Sequence, residues 1–178
     1  MNIHPLFVHF PIGLLVVYSV LELGTYCLPA LRRQAWAFPV KAFLLFVGVL
    51  GAFAALISGG IAEELIEGSS SDPVLEMHAL FAATTTVFYL VIAAAYLNRI
   101  FAREEWFDRI AASNRFFAWG WSVKKRLAHF ILDTWLLPVL ALLALVGMTV
   151  TGALGATMVY GPGVDPFVSF IYHFFWAQ

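Results

Sequence analysis

The sequence predicts an all-α integral membrane protein, an up-down bundle of four transmembrane helices. Of its 178 residues, 62% are hydrophobic and 12% are charged, whereas a soluble domain is nearer half apolar and a quarter charged. Several apolar stretches exceed the roughly 18 residues that cross a bilayer. The basic residues also fall on one side of a four-helix arrangement. Together these observations predict a single transmembrane domain covering residues 1–178.

The ends of the apolar stretches, together with prolines and capping residues, predict the helix boundaries. The predicted spans cover about residues 6–28, 38–64, 73–98 and 128–160. Asp72 and Pro73 give the third helix an N-cap followed by a first-turn proline, and Pro138 predicts a kink in the fourth. Small residues at three- and four-residue spacing indicate that the second helix packs closely against a neighbour: Gly48, Gly51, Ala55 and Gly59.

Charge predicts the orientation of the bundle. All ten basic residues lie on one side: Arg32, Arg33, Lys41, Arg99, Arg103, Arg109, Arg115, Lys124, Lys125 and Arg126. The positive-inside rule therefore predicts that both termini are periplasmic and that the basic connectors are cytoplasmic, in a bacterial inner (cell) membrane. Residues 99–126 are predicted to be an amphipathic cytoplasmic connector, and residues 161–178 a periplasmic tail with a short interfacial helix.

Several functional classes find no support in the residues. The N-terminus has no basic region followed by a small-residue cleavage site, so we do not interpret it as a removable signal peptide. Cys27 is the only cysteine and no CxxCH occurs, which excludes an internal disulfide and covalently attached c-type haem. No serine or cysteine stands in a recognisable arrangement with a histidine. A non-catalytic carrier or subunit is therefore favoured over an enzyme, and nothing indicates nucleic-acid binding.

Four of the five histidines fall in one layer of the predicted bundle. His4 and His9 are at the outer end of the first helix, His78 is at the outer end of the third, and His173 is in the tail. The fifth, His129, lies on the basic side, where its spacing from Asp133 predicts an i,i+4 polar pair. Ionisable residues inside a membrane are functional candidates by default.

The first and third helices run in the same direction and are predicted to lie diagonally across the core. His9 and His78 would then face each other at one depth, as the two axial ligands of a haem iron do. His4 and His173 would be a second pair, alternative ligands or partners of the haem propionates. The alternative for each histidine is an ordinary bond to a backbone carbonyl or to water. Glu22, lower on the first helix, is expected to snorkel, with a buried cluster including Asp133 as the alternative.

Four segments carry a resemblance to a known family. They read HPLFVHFPIGLL at residues 4–15, SGG at 58–60, MHAL at 77–80 and TGALGATMVYGPGVDP at 151–166. They resemble the bacterial membrane family catalogued as domain of unknown function 2231, over nearly the whole chain. The resemblance implies a small four-helix membrane module of the haem-b type for electron transfer, related to proteins that occur near or fused to cytochrome c domains. It places the histidines of the family on His4, His9 and His78.

The leading hypothesis is a membrane electron-transfer subunit that binds b-type haem near the periplasmic face. It would relay electrons between quinol or a periplasmic cytochrome, such as cytochrome c, and a larger complex. One alternative is a cofactor-free structural subunit of a membrane complex. A periplasmic-side metal-binding permease ranks lowest, because no inverted repeat is found.

Overall fold

The computed structural model describes residues 4–64 and 73–176, and this part of the chain is helical with no strand. Within these described ranges, eight helices follow one another: α1 (His4–Cys27), α2 (Pro29–Arg32), α3 (Ala37–Glu64), α4 (Pro73–Phe101), α5 (Glu105–Ala112), α6 (Arg115–Asp133), α7 (Leu136–Tyr160) and α8 (Pro166–Trp176). Four of them, α1, α3, α4 and α7, are long and apolar enough to cross a membrane. The predicted all-α, four-span fold is thereby confirmed.

The four long helices form a square in cross-section. The pairs α1–α3, α3–α4, α4–α7 and α7–α1 pack side by side, so α1 and α4 face each other diagonally, as predicted. We call the end of the bundle where α1 and α4 begin the histidine end, and the end where they finish the basic end. Which end faces the cytoplasm stays a prediction of the positive-inside rule.

The fourth span is shorter than the sequence predicted. It begins at Leu136 rather than near residue 128, and residues 128–133 belong to α6 instead. Thr134 is extended (φ −114°, ψ 178°), and its side-chain oxygen accepts a hydrogen bond from the Leu136 N–H at 3.2 Å. Pro138 lies in the first turn of α7, where its missing N–H costs nothing. The proline therefore marks a helix start, and the predicted kink is wrong.

The connector at the basic end is a pair of helices, α5 and α6. Asn114 caps α6 by accepting the Phe116 N–H at 2.8 Å. Asp108 accepts hydrogen bonds from Trp121 Nε1 at 2.6 Å and Lys125 Nζ at 2.8 Å, which fastens the two helices together. The hydrogen bond from Lys125, followed by that from Trp121, holds the pKa of Asp108 below its usual value. Aromatic side chains on the other face are exposed, as an interfacial anchor requires: Phe116, Phe117 and Trp119.

Close helix contacts use the predicted glycines. A Cβ added to Gly48 would lie 2.6 Å from Leu15 Cδ2, and one added to Gly51 would lie 3.0 Å from Pro11 Cβ. The absence of these side chains on α3 therefore lets α1 approach closely.

The tail folds back on the histidine end, where α8 packs against α7. Gly161 ends α7 with φ +87°, a conformation that favours glycine. Asp165 then caps α8 by accepting the N–H groups of Phe167 and Val168. Val168 of α8 is buried in a cluster with Leu154 of α7.

Candidate functional site

The histidines of the histidine end are placed differently from one another. The side chain of His9 is exposed. His173 is also exposed, and its Nδ1 donates to the Ser169 carbonyl oxygen of its own helix at 2.7 Å. His4 begins α1, and its side chain lies outside the described residues. His78 contacts another spanning helix, α7.

His78 lies against the end of α7. Its Nδ1 is 3.0 Å from the Thr151 carbonyl oxygen, and a carbonyl only accepts, so Nδ1 carries the proton and Nε2 carries the lone pair. Gly155 makes room for the imidazole, because a Cβ there would lie 3.4 Å from His78 Cε1. An imidazole held through Nδ1–H to a backbone carbonyl, with a basic Nε2, has the arrangement typical of a metal-ligating histidine.

Hydrogen bonds in the core fix the register between the diagonal helices. The Ser19 and Tyr89 hydroxyl groups are 2.9 Å apart, and Tyr96 donates to Glu22 at 2.6 Å. These pairs join residues that are 70 and 74 positions apart in the sequence. Because α1 and α4 run in the same direction, the same offsets place His78 level with residues 4–8 of α1, so both α1 histidines are near its depth.

Helical register separates His4 from His9. The core face of α1 contains the buried residues Pro11 and Tyr18. His4 precedes Pro11 by one heptad and therefore shares its side of the helix, whereas His9 is about half a turn away from that side. His4 thus occupies the core-facing register position.

Among the side chains that the structure describes, no group of three or more His, Cys, Asp or Glu residues is placed to hold a metal ion. A haem iron needs only two protein ligands, so a histidine pair is a different kind of site.

The chain has a second concentration of polar groups near the basic end, whose central ion pair the sequence did not predict. Glu22 of α1 is only 4% exposed and forms an ion pair with Lys41 of α3 at 2.8 Å. The expectation that Glu22 snorkels is therefore wrong, and the buried cluster of the alternative is found, although the ion-pair partner of Glu22 is Lys41 and Asp133 lines the same cavity without pairing with it. The signal in the sequence is Lys41, a basic residue four positions inside an apolar span. Its charge was used only to predict the orientation of the bundle.

Every oxygen of the Glu22 carboxylate is used. Oε1 accepts from Lys41 Nζ, and Oε2 accepts from Tyr96 at 2.6 Å and from Tyr18 at 3.1 Å. Lys41 also donates to the Thr25 hydroxyl at 3.0 Å. Three donors on one carboxylate, one of them the charged Lys41, stabilise an ion pair in a place where a lone charge would be very costly.

A cavity of about 310 Å³ reaches this ion pair from the basic end. Glu22, Thr25, Lys41 and Tyr96 lie on its polar side, and apolar residues also line it, among them Ala37, Phe38, Leu132, Leu137 and Pro138. The Phe38 ring stacks on the Tyr96 ring with centroids 5.1 Å apart and 13° between the planes. The cavity thus combines hydrogen-bonding groups with apolar side chains, a combination common in small-molecule sites.

A second ion pair stands at the mouth of the same cavity. Asp133 accepts hydrogen bonds from the Arg99 guanidinium and contacts His129, four residues earlier on α6. The predicted i,i+4 pair is therefore confirmed. Partial burial raises the pKa of Asp133, but the hydrogen bond and charge of Arg99, with His129, outweigh this and lower it.

Comparison with known proteins adds one match. The family model described as "Predicted membrane protein (DUF2231)" matches residues 1–166. No curated protein and no solved structure matches the chain.

Proposed function

Since this chain belongs to the DUF2231 family of predicted membrane proteins, whose description states no activity, we propose its function from the histidine end. We propose a multi-pass membrane electron-transfer subunit that holds one b-type haem between α1 and α4. The haem ligands are His78 and a histidine of α1. When bound, the haem would supply a single-electron carrier at its iron.

The observation that carries this proposal is the hydrogen bond between His78 Nδ1 and the Thr151 carbonyl oxygen. It fixes the orientation of the imidazole and leaves the lone pair on Nε2, the atom that ligates iron. Gly155 beside the imidazole supplies the close approach that a side chain would obstruct. The donor set therefore fits a haem ligand, and α7 supports it.

The register favours His4 as the ligand on α1. Both His4 and His9 are near the depth of His78, but the His9 side chain is exposed, whereas His4 has the core-facing register of Pro11. Diagonal helices of a four-helix bundle are the usual pair for ligands that meet in the core. His9 and His173 then remain as polar groups at the membrane surface, where they would lie near the haem propionates or a partner.

The proposed partners are those of an electron carrier at a periplasmic surface. A periplasmic cytochrome, such as cytochrome c, or quinol would exchange electrons with the haem, and a larger membrane complex would receive or supply them. The lipid bilayer surrounds the four spans.

The test is a reduced-minus-oxidised visible spectrum and a pyridine haemochrome assay on protein purified from haem-replete cells. We expect a b-type α band in the wild type. His78→Ala and His4→Ala should lose it while remaining folded, and His9→Ala should keep it as the matched control. If His9→Ala loses the band and His4→Ala keeps it, the ligand assignment on α1 is wrong, although the haem proposal stands.

A cofactor-free structural subunit is the second candidate, and the same hydrogen bond favours it. The contact of His78 with Thr151 ties α4 to α7, which is a sufficient role for a structural histidine. Folded, haem-replete protein with a featureless spectrum would establish this candidate in place of the first. His78→Asn would then retain assembly if its amide replaces the bond to the carbonyl.

A further inference from the structure

The cavity at the basic end lies far from the histidine end. The level of His78 corresponds to about residue 6 of α1, and Glu22 is 16 residues further along. At 1.5 Å per residue this separates the two sites by about 24 Å. Whatever binds in the cavity is therefore a second ligand, distinct from the proposed haem.

The charges that line the cavity are largely balanced. Glu22 pairs with Lys41, and Asp133 pairs with Arg99, while Arg32 is exposed and also lines the cavity. A fully charged ligand gains little from two neutralised pairs and would lose its hydration on entering. The balance favours an uncharged ligand that presents oxygen atoms to the polar side.

Donors line that side of the cavity. Lys41 has three ammonium protons and uses two on Glu22 and Thr25. The Tyr96 hydroxyl lies beside it on the same wall, and the Glu22 carboxylate is an acceptor for a ligand hydroxyl. A ligand with either a carbonyl or a hydroxyl oxygen at this position therefore finds a matching group.

The rest of the cavity suits a flat ring that is soluble in the bilayer. Leu132, Leu137 and Pro138 contribute apolar side chains, and the volume of about 310 Å³ is at the small end of ligand pockets. From the two neutralised ion pairs, the donor and acceptor groups beside them, and the position within the ends of the spans, we propose that this cavity binds the headgroup of a quinone or quinol. Lys41 donates its third ammonium proton to a ring carbonyl oxygen. The Tyr96 hydroxyl oxygen, whose own proton is donated to Glu22, accepts a hydrogen bond from a ring hydroxyl group, and the Glu22 carboxylate is a second acceptor beside it.

The role of the bound quinol as an electron donor or acceptor rests on the proposed function, but the binding of the quinone headgroup does not. Binding itself is measured without reference to the haem. A failure of haem binding and a failure of quinone binding are therefore separate results.

The experiment is isothermal titration of the purified protein in detergent micelles with a decyl-substituted 1,4-benzoquinone. Tyr96 and Tyr18 both donate to Glu22, but only Tyr96 is among the residues that line the cavity. This makes Tyr18→Phe a matched control for Tyr96→Phe. We expect saturable binding in the wild type that weakens about 3- to 10-fold in Tyr96→Phe, the loss of one hydrogen bond, and is unchanged in Tyr18→Phe.

Three results would overturn the proposal. The first is heat that does not saturate and is the same in all three proteins, which indicates partition into the micelle. The second is equal weakening in both tyrosine variants, which indicates an effect transmitted through Glu22 alone. The third is full displacement of the quinone by a decyl-chain fatty acid, which indicates that the tail binds and the headgroup does not.

Discussion

Removing the positive charge of the buried ion pair should destabilise the bundle strongly. In Lys41→Met the apolar stem is kept, but Glu22 is left with a carboxylate that is 5% exposed and has no cation beside it. Breaking a buried ion pair on one side costs about 3–5 kcal/mol. The Tyr18 and Tyr96 hydroxyl groups still donate to the carboxylate, so we expect about 3 kcal/mol, at the lower end of that range.

The assay is reversible unfolding in mixed micelles of a mild detergent and increasing dodecyl sulfate, followed by circular dichroism. Arg109→Met is the control, because its ion pair with Glu105 is exposed and contributes little. The double variant Glu22→Gln/Lys41→Met removes both charges and should recover most of the loss. A midpoint for Lys41→Met that equals the wild type, or a double variant as unstable as the single one, would refute this account of the pair.

Three further outcomes follow from other contacts. Gly48→Ala should lower the free energy of unfolding by about 1–3 kcal/mol, because its Cβ would lie 2.6 Å from a buried leucine of α1. Gly24→Ala should be tolerated, because no atom lies within 4 Å of the added Cβ. The same detergent titration measures both variants. The pKa of Asp108 is lowered in the folded protein, so the stability that Asp108 gives to the α5–α6 pair is fully present above the usual carboxyl pKa. That stability is lost only as the pH falls through the lower pKa of the folded state. Tryptophan fluorescence measured against pH should therefore show the acid transition at higher pH in Lys125→Met than in the wild type. Cys27 is exposed at the basic end, so a membrane-impermeant maleimide should label it in inverted vesicles and not from the outside of intact cells, and the opposite pattern would contradict the predicted orientation.

The spans and the square arrangement could be predicted because they depend on length and hydropathy. Each spanning helix is a long apolar run, and the diagonal placement of α1 and α4 follows from short connections between antiparallel neighbours. The gathering of histidines at one end was predicted for the same reason, since the number of residues from the start of a helix sets the depth of each side chain.

The partners of individual side chains could not be predicted in the same way. Glu22 and Lys41 are 19 residues apart on different helices, and each, taken singly, resembles a charge near a membrane surface. Only the rotation of α1 and α3 about their axes brings them together. The helix end at Thr134 was missed because a proline four residues later fits either a kink or a new first turn, and the side-chain cap of Thr134 decides between them.

The histidines of α1 show most clearly what the sequence alone could not predict. Counting residues placed His4, His9 and His78 in one layer, but it did not show which side of α1 each occupies. The exposure of His9, together with the burial of Pro11, provides the missing rotation about the helix axis.

The hydrogen bonds across the diagonal have a mechanical consequence. Ser19 to Tyr89 and Glu22 to Tyr96 join two helices whose main chains are not neighbours, so α1 and α4 cannot slide along each other without breaking both bonds. When the surrounding bilayer becomes thinner or thicker, the two helices must tilt together as one rigid unit. Their histidines would therefore keep the same relative height in membranes of different thickness.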